Sequence, residues 1–245
     1  MATMMSMVGI GPMAAKHGGF ASTISIEASR LYTLRPAITD VSAAMLEPAT
    51  VAIHAVRRTP IRLGDSVVVL GAGPIGLLVL QCARAAGAGF VAVVEPEPTR
   101  AALAGRLGAN VVIDPRNEDT GERLKALCGA IGADVVFECA GIPATIDQSA
   151  ALVKRGGVVS LVGLSAVPAE ISPSTWLSRE VRLVASLGYL HEEFDMAMQL
   201  VEDGRLELEP MHSGTVGLHE LDGAFRQLLA GGGDVKILVD PNRTS

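Results

Sequence analysis

A chain of 245 residues, 49% hydrophobic and 19% charged, is long enough for one large domain or for one domain and part of another. That composition excludes a disulfide-stapled miniprotein, a collagen-like repeat and a disordered tail. The net charge is −6, and no basic run reaches four residues, so there is no electrostatic footprint for a nucleic-acid backbone.

Segment 1–19 carries five methionines and no basic residue before Lys16, which is not the pattern of a secretory signal. We read it as a leader of unclear structure. Segment 20–65 begins extended (FASTISIEA) and continues as helical pieces broken by Pro48. From Ser66 onward, short Val-rich runs alternate with helical patterns. Ser66–Leu70 (SVVVL), Phe90–Val94 (FVAVV), Val111–Ile113, 134–137 (DVVF), 158–162 and 183–187 read as strands. Segments 74–86, 99–107, 121–130 and 144–154 read as the helices between them. Two further helices, 192–201 and 218–229, precede a closing strand at 236–239. Aromatic residues make up only 3% of the chain, so its core is built from Ala, Val, Leu and Ile. Strands separated by helices imply a parallel sheet, and right-handed crossovers make it a doubly wound α/β fold of the Rossmann type.

The uncharged stretch 66–83 is too broken by Gly71, Gly73, Pro74 and Gly76 to cross a membrane as one helix. We expect no membrane partner and no nucleic-acid partner. Cys82, Cys128 and Cys139 have no Cys-x-x-Cys spacing; they suit a reducing cytoplasm and read as small buried hydrophobes. The sequon Asn242-Arg243-Thr244 has no use there. His191, His212 and His219 read as surface or capping groups, and Trp176 and Tyr189 as packing residues, with Tyr189 also placed to line a substrate cleft.

Gly71-Ala72-Gly73-Pro74-Ile75-Gly76 follows a strand and opens a helix. The first glycine permits the tight turn, the second lets backbone approach a pyrophosphate, and the third lets helix and strand pack closely. The helix start offers unpaired N–H groups and a positive dipole end to the diphosphate. Glu95 ends the second strand 19 residues after Gly76, where a carboxylate accepts hydrogen bonds from ribose hydroxyls. A carboxylate at that edge repels a 2′-phosphate, which favours NAD over NADP; Arg100 is the competing signal.

Several segments together resemble the medium-chain, zinc-type alcohol dehydrogenases, in their polyol and butanediol branch. They are 47–58 (EPATVAIHAVRR), 67–76 (VVVLGAGPIG), 137–141 (FECAG) and 235–239 (VKILV), within a similarity running from about Gly18 to Pro241. The resemblance implies an NAD-dependent oxidoreductase that passes hydride between a secondary alcohol, a vicinal diol or polyol, and the nicotinamide. It implies that Gly71, Gly73, Pro74, Ile75 and Gly76 hold the pyrophosphate, with Glu95 and Arg100 at the ribose. Backbone around Val162, Gly163, Leu164, Ser186 and Leu187 would face the nicotinamide, Lys236 would approach the phosphates, and Cys139 and Ala140 would also bind the cofactor. It also implies a homodimer joined through the sheet edge near Val167 to Ile171, and puts Glu47 at a catalytic zinc or its bound water.

The family's catalytic domain supplies the other zinc ligands, and they have no counterpart in this sequence. A catalytic zinc needs about three protein ligands. Glu47 is a single candidate, and His54, two helical turns away, is expected to be packed or bonded within its own helix. We therefore expect 20–63 to be a remnant of the catalytic domain, 64–190 the dinucleotide-binding domain, and 191–245 the helices and strand that complete the sheet. Three readings stay open: a zinc dehydrogenase recorded from a late start, an NAD-binding subunit without turnover, and a zinc-free NAD(P)H reductase. Zinc is expected only if the missing domain is present. Ile24, Leu31, Leu46 and Ile53 are expected to border an apolar face left open by that domain.

Overall fold

A computed structural model describes residues 19–129 and 131–243. The Met-rich segment with His17, the helix end expected at Ala130 and Thr244 of the sequon lie outside the described residues.

The chain enters through an extended strap and a short helix α1 (Asp40–Ala43), then α2 (Leu46–Arg57). There follow β1 (Ser66–Leu70), α3 (Pro74–Ala85), β2 (Phe90–Val94), α4 (Pro98–Arg106), β3 (Val111–Ile113), α5 (Thr120–Cys128), β4 (Ala133–Glu138), α6 (Pro143–Leu152), β5 (Val153–Leu161), α7 (Pro173–Ser178) and β6 (Arg182–Ala185). The flank holds α8 (His191–Glu202), β7 (His212–Gly217), α9 (Leu221–Leu229) and β8 (Lys236–Asp240). Strands β1 to β6 form one parallel sheet in the order 3-2-1-4-5-6. The doubly wound expectation holds.

Period-two alternation divides the sheet between two apolar layers. Val67 and Val69 of β1 face a core shared with α2, α3 and α8, while Val68 and Leu70 face a second core containing Leu124 of α5 and Leu152 at the end of α6. Burial on both faces is why these strands read as continuous Val runs rather than as alternating ones.

Four sequence expectations are corrected. Pro48 does not break the helix: it stands in the first turn of α2, where no helical partner for its missing N–H is required. Helix α6 stops at Leu152, and strand pairing starts at Val153, with an irregularity in register before Val135. The helix expected over 218–229 opens as a tighter 3₁₀ turn at Leu218–Glu220. Strand β8 does not complete the large sheet but pairs in parallel with β7 as a separate two-stranded sheet.

The strap exposes Ile24 and Leu31, at 57% and 63%, but Leu46 and Ile53 are buried at 0% and 3%. Helices α3 and α8 both pack on α2, and α8 meets it through a buried acid. At that contact Glu193 of α8, 1% exposed, accepts from His54 Nδ1 at 2.9 Å, Arg57 Nη1 at 2.9 Å and the N–H of Leu190 at 2.7 Å. His54 is thus bonded to another helix, not within its own. At the far end of α3 a cleft of about 390 Å³ is lined by Arg84, Arg106 and Arg205. Arg84 and Arg106 sit in the last turns of α3 and α4, where positive charge offsets the helix dipole.

Removing the Glu193 carboxylate leaves buried donors without an acceptor. We expect Glu193→Ala to lower unfolding free energy by about 2–3 kcal/mol, because Arg57 retains access to water. Urea denaturation should show a lower midpoint at unchanged slope; a loss under about 0.5 kcal/mol would remove this cluster from the stabilising contacts.

Candidate dinucleotide site

The glycine turn joins β1 to α3, and its three glycines have different surroundings. Gly71 has φ of +95°, a conformation that side chains rarely adopt, and its N–H donates to Val94 O at 2.8 Å. A Cβ on Gly76 would lie 1.9 Å from the Gly71 carbonyl oxygen, so only glycine lets α3 start this close to the strand. A Cβ on Gly73 would meet nothing within 4 Å. That open face, bordered by the first-turn N–H groups of α3, fits a diphosphate approaching backbone. Pro74 stands at the helix start, and Ile75 follows it into the first turn.

Glu95, 3% exposed at the end of β2, is bound into the same turn. Its Oε2 accepts from the N–H of Ala72 at 2.7 Å, and its Oε1 from the N–H of Glu97 at 2.8 Å and from Arg100 Nη2 at 3.0 Å. The second arm of Arg100 donates to Gly232 O at 3.0 Å. Arg100 therefore ties the acid to the loop that leads to Lys236, and Thr99 packs against Gly233 of that loop. Glu97, which the sequence reading passed over, caps α4 by accepting from the N–H of Arg100 at 2.7 Å. An acid directly before Pro at a helix start was the available signal.

The opposite wall is made by the ends of β4, β5 and β6. Ala140 packs on the turn, 3.2 Å from where a Gly71 Cβ would stand. The N–H of Cys139 donates to Leu70 O, and burial, reinforced by the Glu138 charge, pushes the Cys139 thiol pKa well up. Gly163 abuts Gly141, and Val162 precedes it. The N–H of Ser186 donates to Leu161 O at 3.0 Å, while its buried hydroxyl has no hydrogen-bond partner. Leu164 and Leu187 leave apolar side chains 83% and 62% exposed at the rim. Glu138, with no exposed surface, was missed as a site residue; its Oε1 accepts from the N–H groups of Ala140 and Gly141.

Glu47 stands in the first turn of α2. Loss of surrounding water raises its carboxyl pKa, and the Lys236 ammonium partly offsets the rise. Tyr189 has its hydroxyl pKa raised by burial, then by the charges of Glu47 and Tyr32. Tyr32 bonds His191 Nδ1 at 2.6 Å and stacks on Phe194, with ring centroids 3.9 Å apart. His191 is therefore a partner of the strap rather than an isolated surface group. Among the described residues no three His, Cys, Asp or Glu side chains come together to hold a metal ion. Glu47 is left as a single candidate ligand, so these residues do not fit a zinc site by themselves.

Residues 74–203, more than half of the chain, match the family described as zinc-binding dehydrogenase. The chain is 32% identical over 225 residues to 2-dehydro-3-deoxy-L-galactonate 5-dehydrogenase of Pseudoalteromonas atlantica, covering 92% of this chain and 65% of that protein. The crystal structure of 2R,3R-butanediol dehydrogenase from Bacillus subtilis superimposes with a TM-score of 0.80 at 31% identity, over 86% of this chain and 60% of that one. A zinc-binding dehydrogenase from Sinorhizobium meliloti, solved with NADP, superimposes at 0.83 and 33% identity, over 91% and 66%. The chain spans about two thirds of the length of the relatives it matches. Matched over more than half of its length by the family model, and by relatives at over 30% identity, the chain belongs to the zinc-binding dehydrogenase family.

Proposed function

We propose that this chain binds NAD across the ends of β2, β1 and β4 and serves hydride transfer between the nicotinamide and a secondary alcohol or its ketone. The observation that carries this reading is the turn 71–76, with its open face at Gly73 and the Glu95 carboxylate bonded to Ala72 beside it. The first-turn N–H groups of α3 would meet the pyrophosphate, Glu95 the adenosine ribose, and Lys236 would reach toward the phosphates. Oxidation removes a hydride from the carbinol carbon and a proton from its hydroxyl, leaving the ketone and NADH. A zinc ion, in proteins that assemble the site, polarises the alcohol oxygen. The ligands for it are not gathered by the residues described, so the role of this chain is argued from its cofactor half.

NAD is preferred to NADP because the buried Glu95 faces the ribose edge, where a 2′-phosphate would meet like charge. The Sinorhizobium relative solved with NADP makes this a discriminating point rather than a family constant. Arg100, which is already bonded to Glu95 and Gly232, is the residue whose release would favour the phosphate. Calorimetric titration of NADH and NADPH should show tighter binding of NADH, and Glu95→Ala should bring the two within about threefold, a difference near 0.7 kcal/mol. An unchanged ratio would remove Glu95 from the ribose.

The substrate class rests on the relatives named for a butanediol and for a sugar acid. Where the zinc ligands that the described residues lack are supplied, vicinal diols and polyols offered with NAD should yield NADH and the ketone. Turnover confined to primary alcohols would overturn this assignment.

For the assembly we propose a homodimer across the outer edge of β6, which among the described residues pairs only with β5. Val167 and Ile171, at 57% and 50% exposure, stand in the irregular segment that joins β5 to α7, and Pro168 would be tolerated where that segment meets a sheet edge. Sedimentation should find a dimer that Ile171→Asp converts to monomer; an intact dimer in the variant would point to another surface. The free cysteines suit the cytoplasm as the working compartment.

A further inference from the structure

Glu138 is the last residue of β4, and two turns hang from it. Its side chain reaches into the turn that follows: Oε1 accepts from the N–H of Ala140 at 2.9 Å, the N–H of Gly141 at 2.8 Å and the Thr145 hydroxyl at 2.8 Å. Its main-chain carbonyl holds the turn after β5, accepting from the N–H groups of Val162 at 2.9 Å and Gly163 at 2.8 Å. The second carboxylate oxygen, Oε2, is buried without a hydrogen-bond partner. It lies against Gly163, where a Cβ would come within 2.8 Å of Oε2 and 2.4 Å of the Gly141 nitrogen. The two turns therefore interlock around one acid.

A fully buried carboxylate is costly unless its oxygens are bonded, and here one of the two is not. Apolar packing alone would be served better by a hydrocarbon side chain. What the carboxylate supplies is aim, because three converging donors fix the direction of the backbone from Ala140 onward. The place of that backbone gives the aim a purpose. Strand order reverses between β1 and β4, and a dinucleotide lies across such a reversal. With Glu95 taking the adenosine side at β2, the other half of the cofactor runs to the ends of β4 and β5.

We propose that Glu138 is a positioning residue for the nicotinamide half of the cofactor, acting through the turns 139–141 and 162–163. The inference rests on the dinucleotide reading above, and a pair of ligands separates the two. ADP-ribose carries everything in NADH except the nicotinamide. In Glu138→Ala, calorimetry should find NADH weakened by about tenfold, equivalent to ~1.4 kcal/mol, with ADP-ribose changed by less than about twofold. Glu138→Gln, whose amide oxygen still accepts from the same donors, should recover most of the NADH affinity.

Equal losses for both ligands would show general loosening of the fold and overturn the inference, as would no loss at all. Glutamine behaving no better than alanine would also overturn it, because the hydrogen bonds would then not be the cause. Thr145→Val removes a single O–H donor without touching the sheet and serves if Glu138→Ala does not fold. It should weaken NADH by about two- to threefold and spare ADP-ribose, and an unchanged ratio would count against the proposal. Wild-type protein that binds neither ligand would overturn the dinucleotide reading, and this inference with it.

Discussion

The close approach of α3 to the end of β1 is the constraint on which the crevice depends. At Gly76 the helix comes so near the Gly71 carbonyl that a single methyl group would collide with it. Any wider approach would tilt the first turn of α3 and turn its free N–H groups away from the gap above Gly73. The same closeness lets the N–H of Ala72 reach the Glu95 carboxylate on the neighbouring strand, so the turn and the acid are positioned by one another. Packing that can be described without any ligand thus creates the open face that a phosphate-bearing ligand would fill.

Arg100 extends this arrangement beyond the sheet. It spans Glu95 on β2 and the Gly232 carbonyl in the loop before β8. That loop also receives the methyl and hydroxyl of Thr99, in a space that only glycine at 233 leaves free. The two-stranded sheet carrying Lys236 is therefore not a loosely attached flank. One side chain, Arg100, thus joins Glu95 to the loop that leads to the lysine.

Much of the parallel sheet was legible in the sequence because its strands are buried on both sides and its turns are marked by glycine. The run SVVVL leaves little alternative to a strand, and GAGPIG after it leaves little alternative to a strand-to-helix turn. Strand β7 was not legible: HSGTVG has a glycine inside it, few apolar residues and only one partner strand, so local preference says little. Contacts made across the chain were equally hidden. Tyr32 bonds a histidine 159 residues away, and His54 bonds a glutamate 139 residues away. A histidine with no spaced partner in sequence looks isolated until the fold delivers one. Pro48 misled for a related reason, since proline in a first turn and proline in a helix interior look alike until the start of the helix is known.

Glu95 and Glu138 stand on opposite sides of the glycine turn, and both are buried acids. An anion placed between them would be repelled if their charges were bare. Neither carboxylate is bare: Glu95 takes two backbone N–H groups and a guanidinium, and Glu138 takes two backbone N–H groups and a hydroxyl. Each acid consumes donors that would otherwise point into the crevice, and so stiffens the backbone at the cost of lowering the local positive potential. What remains to receive a diphosphate is the helix start at α3, with no acid in its first turn, and the ammonium of Lys236. A helix dipole equivalent to about half a charge is modest in water but stronger in a crevice walled by apolar strands. At the diphosphate the arrangement thus separates two tasks: carboxylates hold the walls on either side, and backbone N–H groups meet the anion. Exchanging those tasks would demand side-chain cations at the turn, and at Gly76 the Gly71 carbonyl leaves no room for even a Cβ.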